Sequence, residues 1–182
     1  MATALFWQHG YDGTSIAMLT AALGCTPPTI YAAFGSKEGL YRDVVEQYRR
    51  RGPASQGERP ATPSAYAMVE RYLREVARQF TDSSHPKGCM VGTGALQCGP
   101  GSEAIASYAK TVRTDGHRLF AAKIEDAKSR GELPGETDVE AITRFYIAVV
   151  QGMSVQAIDG ADRDQLEALV EIALTAWPGR RS

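Results

Sequence analysis

Residues 14–41, TSIAMLTAALGCTPPTIYAAFGSKEGLY, hold three helix starts and two helix stops within 28 positions. Thr14 or Ser15 offers a side-chain oxygen to cap the first helix. Ile16, Leu19, Ala22 and Leu23 recur three or four apart, so they share one helical face. Gly24 follows where a left-handed C-cap is wanted. Thr26 is placed to cap the next helix, and Pro27 falls at its first position, where the missing N–H costs nothing. Ile30, Tyr31 and Phe34 are the inward candidates of that helix. Gly35 ends it, and Ser36 caps a third helix with Glu38 in its first turn, where the macrodipole favours an anion. Two short helices joined by a tight glycine-containing turn form a helix-turn-helix, whose second helix enters the DNA major groove.

The run from Gly10 to Tyr41 closely resembles the DNA-binding domain of TetR/AcrR-family transcriptional repressors. The matching features are Phe6, Gly10-Tyr11, Thr14-Ser15, the Leu23-Gly24 turn, Thr29-Ile30-Tyr31, Phe34, Ser36-Lys37-Glu38 and Leu40. The resemblance implies an all-α fold: an N-terminal three-helix domain carrying the helix-turn-helix, then a C-terminal helical domain for ligand binding and dimerisation. It also implies a ligand-responsive repressor that binds a palindromic double-stranded DNA operator as a homodimer. By resemblance, Thr14 and Ser15 touch the DNA backbone and Lys37 takes a phosphate position. Family members usually carry further, often basic, residues before this point. The expectation is therefore a truncated start or a mis-assigned start codon, which a mass measurement of the native protein tests.

The second helix, TPPTIYAAF, contains no Arg, Lys, Asn or Gln, the side chains that read base edges bidentately, so direct readout is sparse. Thr26 and Thr29 can reach bases or phosphates. Pro27 and Pro28 offer apolar contact, for example to a thymine methyl, and Tyr31 can donate its hydroxyl to a phosphate. Charge adds little. The chain carries a net charge of −1, and residues 1–52 hold five basic against four acidic side chains, leaving +1. That weak balance, with Ala32 and Ala33 on the reading helix, favours one alternative: a ligand-binding helical dimer whose helix-turn-helix no longer binds DNA.

The rest of the chain is organised by helical periodicity and breakers. Residues 1–11 read as the second half of an amphipathic helix, with Leu5 and Phe6 inward and Gly10 ending it. Residues 36–51 form a connecting helix with Leu40, Val44, Val45 and Tyr48 on one side. Its closing Arg49-Arg50-Arg51 reads as a solvated helix end. Residues 52–63 contain three Pro and two Gly in twelve positions. They mark a linker between domains at 1–51 and 64–182. Ser64 caps a helix to about Phe80. Residues 88–102 carry no charge and five glycines, which predicts a buried segment with close backbone approach; by resemblance it holds a short central helix beneath the DNA domain. Long helices follow over 102–130, 138–158 and 162–177. The first carries an inward stripe of Ile105, Tyr108, Ala109, Val112, Leu119, Phe120, Ile124 and Ala127. No alternating run is long enough to be a strand.

The family's effector site lies among the long C-terminal helices. The apolar and aromatic candidates for it are Leu73, Phe80, Met90, Thr93, Tyr108, His117, Phe120, Phe145 and Met153. Plain core is the competing role for each of them. The last two helices are the dimer candidates. Val149, Val150, Met153 and Val155 serve two sides of one, and Leu169, Ile172, Ala173 and Ala176 lie on the other. Against these partners stand several expected absences. The histidines fall in separate elements, and no catalytic, phosphate-binding or dinucleotide motif is present, so neither an enzyme nor a cofactor is expected. Cys25, Cys89 and Cys98 are odd in number and lack metal-ligand spacing. They point to a reduced, cytoplasmic compartment and to no metal site. No apolar run is long enough to span a bilayer, so no membrane partner is expected.

Overall fold

A computed structural model describes residues 1–52, 64–96 and 98–179, and every regular element among them is a helix. In order these are α1 (Ala2–Gly13), α2 (Ile16–Leu23), α3 (Pro27–Phe34), α4 (Lys37–Arg51), α5 (Ala65–Thr81), α6 (Met90–Thr93), α7 (Glu103–Ser129), α8 (Val139–Ile158) and α9 (Arg163–Thr175). Local capping chemistry accounts for most of the starts. Ser15, Ser36, Ser64 and Asp138 each accept a hydrogen bond from a backbone N–H in the first turn, and Asp162 with Gln165 forms a reciprocal capping box. Thr26 departs from this pattern. It occupies the N-cap of α3, but its hydroxyl lies 3.0 Å from the Thr29 hydroxyl and makes no cap bond.

Gly10 interrupts α1 rather than ending it. Its φ of 69° is a left-handed conformation, and a Cβ there would lie 2.9 Å from the Gly94 carbonyl oxygen. Gly24 takes the left-handed cap expected of it, at φ 65° and ψ 33°.

Two hydrophobic cores result. The body core gathers Val69, Leu73, Val76, Phe80, Phe120, Ile124, Tyr146, Met153, Leu166, Val170, Leu174 and Trp177 from α5, α7, α8, α9 and the segment that follows α9. The head core contains Phe6, Trp7, Leu19, Ile30, Leu40, Tyr41, Val44 and Val45, together with Met90, Ala95, Ile105, Ala109 and Val112. The last five lie beyond the Pro/Gly linker in sequence, so the head is completed by α6 and the start of α7. Residues 53–63 of that linker are outside the described residues.

Several expected inward residues face solvent. Leu119 on α7 is 57% exposed, and Tyr31 and Phe34 on α3 are also exposed. The uncharged 88–102 segment is buried only in part. Gly88, Met90 and Ala95 are enclosed, whereas Leu96 and Gly99 to Gly101 are exposed. Trp7, buried and donating its indole N–H to the Lys87 carbonyl at 3.2 Å, ties α1 to the turn before α6.

Candidate nucleic-acid interface

The helix-turn-helix is held from beneath. α2 and α3 meet at 95° across the Gly24 turn. Leu19 of α2 and Ile30 of α3 are buried with Leu40 and Tyr41 of α4. Ile30 is the buried residue of α3, so Thr26, Pro27, Pro28, Thr29 and Tyr31 all stand in solvent. These candidates are all exposed, and the Thr26 and Thr29 hydroxyls lie 3.0 Å apart. Ser15, the N-cap of α2, is exposed as well. Its oxygen accepts from Met18 N at 3.1 Å, and its proton remains available to donate.

Thr14 does not share that exposure. It is fully buried, and its hydroxyl contacts the carbonyls of Gly10 at 2.7 Å and Leu5 at 3.2 Å. Its N–H is bonded to Tyr11 O. Thr14 therefore closes the break in α1 and has neither donor free for a phosphate.

Lys37 opens α4, half-buried, with its ammonium 4.2 Å above the Tyr11 ring. Burial lowers its pKa from the usual lysine value, and the nearby Asp12 carboxylate works in the opposite direction. Asp12 in turn accepts from Ser102 Oγ at 2.5 Å and Gly99 N at 2.7 Å. These two bonds, Ser102 first, hold its carboxyl below the usual aspartate range. Arg42 pairs with Glu38 at 2.7 Å and lies over the Tyr108 ring, and Arg50 pairs with Glu46 at 3.3 Å. That arrangement agrees with a solvated end for the arginine run.

The effector candidates are dispersed. Leu73, Phe80, Phe120 and Met153 are packed into the body core, and Met90 belongs to the head core. Tyr108 sits under the Arg42 guanidinium, Phe145 is exposed, and the Thr93 hydroxyl donates to Cys89 O. Thr93 also lines a cleft of about 880 Å³ between α1 and the segments around α6, which none of the other candidates reaches. Leu73, Phe80, Met90, Phe120 and Met153 are each buried against other apolar side chains in one of the two cores. His117 differs. Its Nε2 is buried without a hydrogen-bond partner and lies 3.7 Å from Glu140 Oε1.

Two residues around Lys37 carried no signal of their own in the sequence reading: Tyr11, whose ring lies beneath the ammonium, and Asp12, whose charge acts on it. Nothing local marks Asp12, because its partners lie 87 and 90 positions away.

The family model for bacterial regulatory proteins of the tetR family matches residues 1–44, and the model for tetracyclin repressor-like C-terminal domains matches residues 66–173. The chain belongs to the TetR family. Among this TetR-family protein's relatives is the HTH-type transcriptional repressor ComR of Escherichia coli, 35% identical, with the match covering 97% of this chain and 85% of ComR. The repressor BdcR of the same organism is 31% identical over 94% of this chain and 83% of its own length. Among solved structures, a cysteine-substituted form of the TetR-family regulator CifR, in complex with a 26-bp operator duplex, is 40% identical. It superposes with a TM-score of 0.92 over 97% of this chain and 93% of that one. The exposed recognition surface thus belongs to a DNA-binding transcriptional regulator of the TetR family.

Proposed function

We propose that this TetR-family protein represses transcription by binding a palindromic operator as a homodimer, and that a small-molecule effector in its body releases it. The observation that carries the reading is α3 itself. Ile30 anchors it while Thr26, Pro27, Pro28, Thr29 and Tyr31 stay exposed, on a backbone that follows an operator-bound relative. In this reading residues 1–51 bind DNA, and residues 64–182 bind the effector and dimerise. Ser15, Tyr31 and Lys37 hold phosphates, Thr26 and Thr29 reach bases or phosphates, and Pro27 and Pro28 make apolar contact in the groove. The protein acts in the cytoplasm, where the chromosome is, and works by binding rather than turnover.

Dimerisation is supported by α8 and α9. On α8, Ala141, Phe145, Ala148, Gly152 and Val155 recur at alternating spacings of four and three, exposed apart from the half-buried Gly152. On α9, Ala168, Ile172 and Ala176 are exposed, Ile172 at 73%. Together they form an apolar strip outside both cores. The effector reading rests on α5, α7 and α8, where Phe120 contacts Tyr72 and Tyr146. The buried Thr143 Oγ1 and His117 Nε2 lack partners among the described residues, and each could take a hydrogen bond from a ligand. A ligand that binds a second arrangement of the body better than this one would shift the dimer away from its DNA-competent state.

The test is a gel shift on the promoter region upstream of the protein's own gene, at stated salt. The wild-type protein shifts a palindromic duplex. Lys37→Ala weakens binding to all sequences alike and flattens the dependence of log K on log salt by about one. The near-neutral head and the exposed Ala32-Ala33 pair favour the rival reading of a helix-turn-helix that has lost DNA affinity. That reading wins if no duplex from this region shifts at low salt.

A further inference from the structure

The end of α1 is fastened to the segment that joins α6 to α7. Tyr11 N donates to Gly94 O at 3.1 Å, and Gly10 packs its backbone against the same carbonyl. One step on, the Asp12 carboxylate accepts from Gly99 N and from Ser102 Oγ. Ser102 is the N-cap residue of α7, yet its side chain makes no cap bond within its own helix. Its hydroxyl is given to Asp12 instead. Asp12 therefore supplies an anion at the N-terminal turn of α7, where the macrodipole favours negative charge, on a helix whose start packs in the head core and whose remainder packs in the body. α7 runs for 27 residues, or about 40 Å, from this clasp past His117 and Phe120. The Asp12 charge also favours the protonated form of Lys37, whose ammonium covers the Tyr11 ring.

We propose that Asp12 is a positioning residue for operator binding: by clasping Gly99 and Ser102 at the start of α7, it holds the helix-turn-helix in its DNA-competent orientation and gives α7 a handle by which the body can release the head. The proposal rests on the DNA-binding reading above. Two observations favour a competent rather than a released arrangement. The clasp is closed in a backbone that matches an operator-bound relative with a TM-score of 0.92. Lys37, at the start of α4, is also held over the ring of Tyr11, the residue next to Asp12.

The proposal predicts a sign opposite to that of plain charge. An aspartate near the DNA face repels phosphate, so removing its charge should tighten binding if Asp12 acts only through the field. If it acts as a clasp, removal loosens the head and weakens binding.

The experiment measures operator affinity by fluorescence anisotropy across a salt series for wild type, Asp12→Asn, Ser102→Ala, Ser102→Thr and the Asp12→Asn/Ser102→Ala double variant. Circular dichroism checks helix content in each. Asp12→Asn is expected to weaken binding by ~5- to 50-fold, the range of ordinary coupling energies, with the salt slope unchanged because no phosphate contact is lost. Ser102→Ala weakens binding in the same direction, Ser102→Thr restores it, and the double variant is no weaker than Asp12→Asn alone. Unchanged or tighter binding by a folded Asp12→Asn, or additive losses in the double variant, overturns the proposal. Should Asp12→Asn lose helix content, Ser102→Ala decides alone: weaker binding supports the clasp and unchanged binding overturns it. A wild-type protein that shifts no duplex overturns the DNA-binding reading, and the clasp with it.

Discussion

Thr14 shows how one hydroxyl can be assigned twice on paper and once in space. Its position before a helix offers both a cap and a phosphate contact, but the neighbouring Ser15 takes the cap and Thr14 turns inward to Gly10 O and Leu5 O. Gly10 is where α1 breaks, so the Thr14 hydroxyl ties the start of the next segment back to that break and to the turn before it. Thr14→Val keeps the shape and removes the donor. It is expected to destabilise the protein by about 1–2 kcal/mol in urea unfolding, while leaving the salt slope of operator binding at its wild-type value. A slope reduced by about one would return Thr14 to the phosphate contacts. Lys37, by contrast, opens α4 with its ammonium over the Tyr11 ring, a contact that only the folded chain revealed.

At the scale of the helix, α8 separates what periodicity can and cannot say. It is apolar nearly all round, so several stripes can be drawn through it. The residues expected to serve the partner included Met153, which is buried in the body core, and Val149 and Val150, which pack against that core. The strip left outside is Ala141, Phe145, Ala148, Gly152 and Val155, and of the expected set only Val155 lies on it. On α9, Ile172 and Ala176 face outward as expected, while Ala173 is buried. Gly152 has open space where a side chain would stand, which suits close approach by a second helix. A charge on this strip should be costly to a dimer and nearly neutral to the monomer fold. Val155→Glu is expected to raise the dimer dissociation constant by roughly 30-fold, the size of one interface hot spot. Sedimentation equilibrium reads that shift, and an unchanged constant would remove α8 from the interface.

Across the whole molecule, the core boundary and the chain boundary do not coincide. The Pro/Gly run at 52–63 divides the sequence cleanly, yet Met90, Ala95, Ile105, Ala109 and Val112 from beyond it complete the core of the head. The start of α7 therefore belongs structurally to the DNA-binding unit, and the rest of α7 to the body. Ile105→Ala should destabilise the head, although it lies more than fifty positions past the end of α4. A loss of about 2–4 kcal/mol is expected from the cavity it leaves. Hydrogen exchange should show that loss in the amides of α1 and α4. A loss confined to α7 and α8 would mean that the head core closes without it.

The helix starts and most of the stops were legible from the amino-acid sequence, because capping is local. A serine, an aspartate or a left-handed glycine acts on the backbone within three or four residues of itself. The three-helix head, its exposed threonines and prolines and the family were legible for the same reason, since they lie in one short run. Which residues of an evenly apolar helix turn inward was decided only by tertiary packing: Leu119, Tyr31 and Phe34 came out, while Leu73, Phe80, Met90, Phe120 and Met153 filled the cores. The Asp12 clasp was likewise invisible, because an aspartate followed by glycine carries no mark of a helix end 90 positions away. Long-range bonds depend on where the fold brings two surfaces together, and that is a property of the packed chain rather than of any stretch of it.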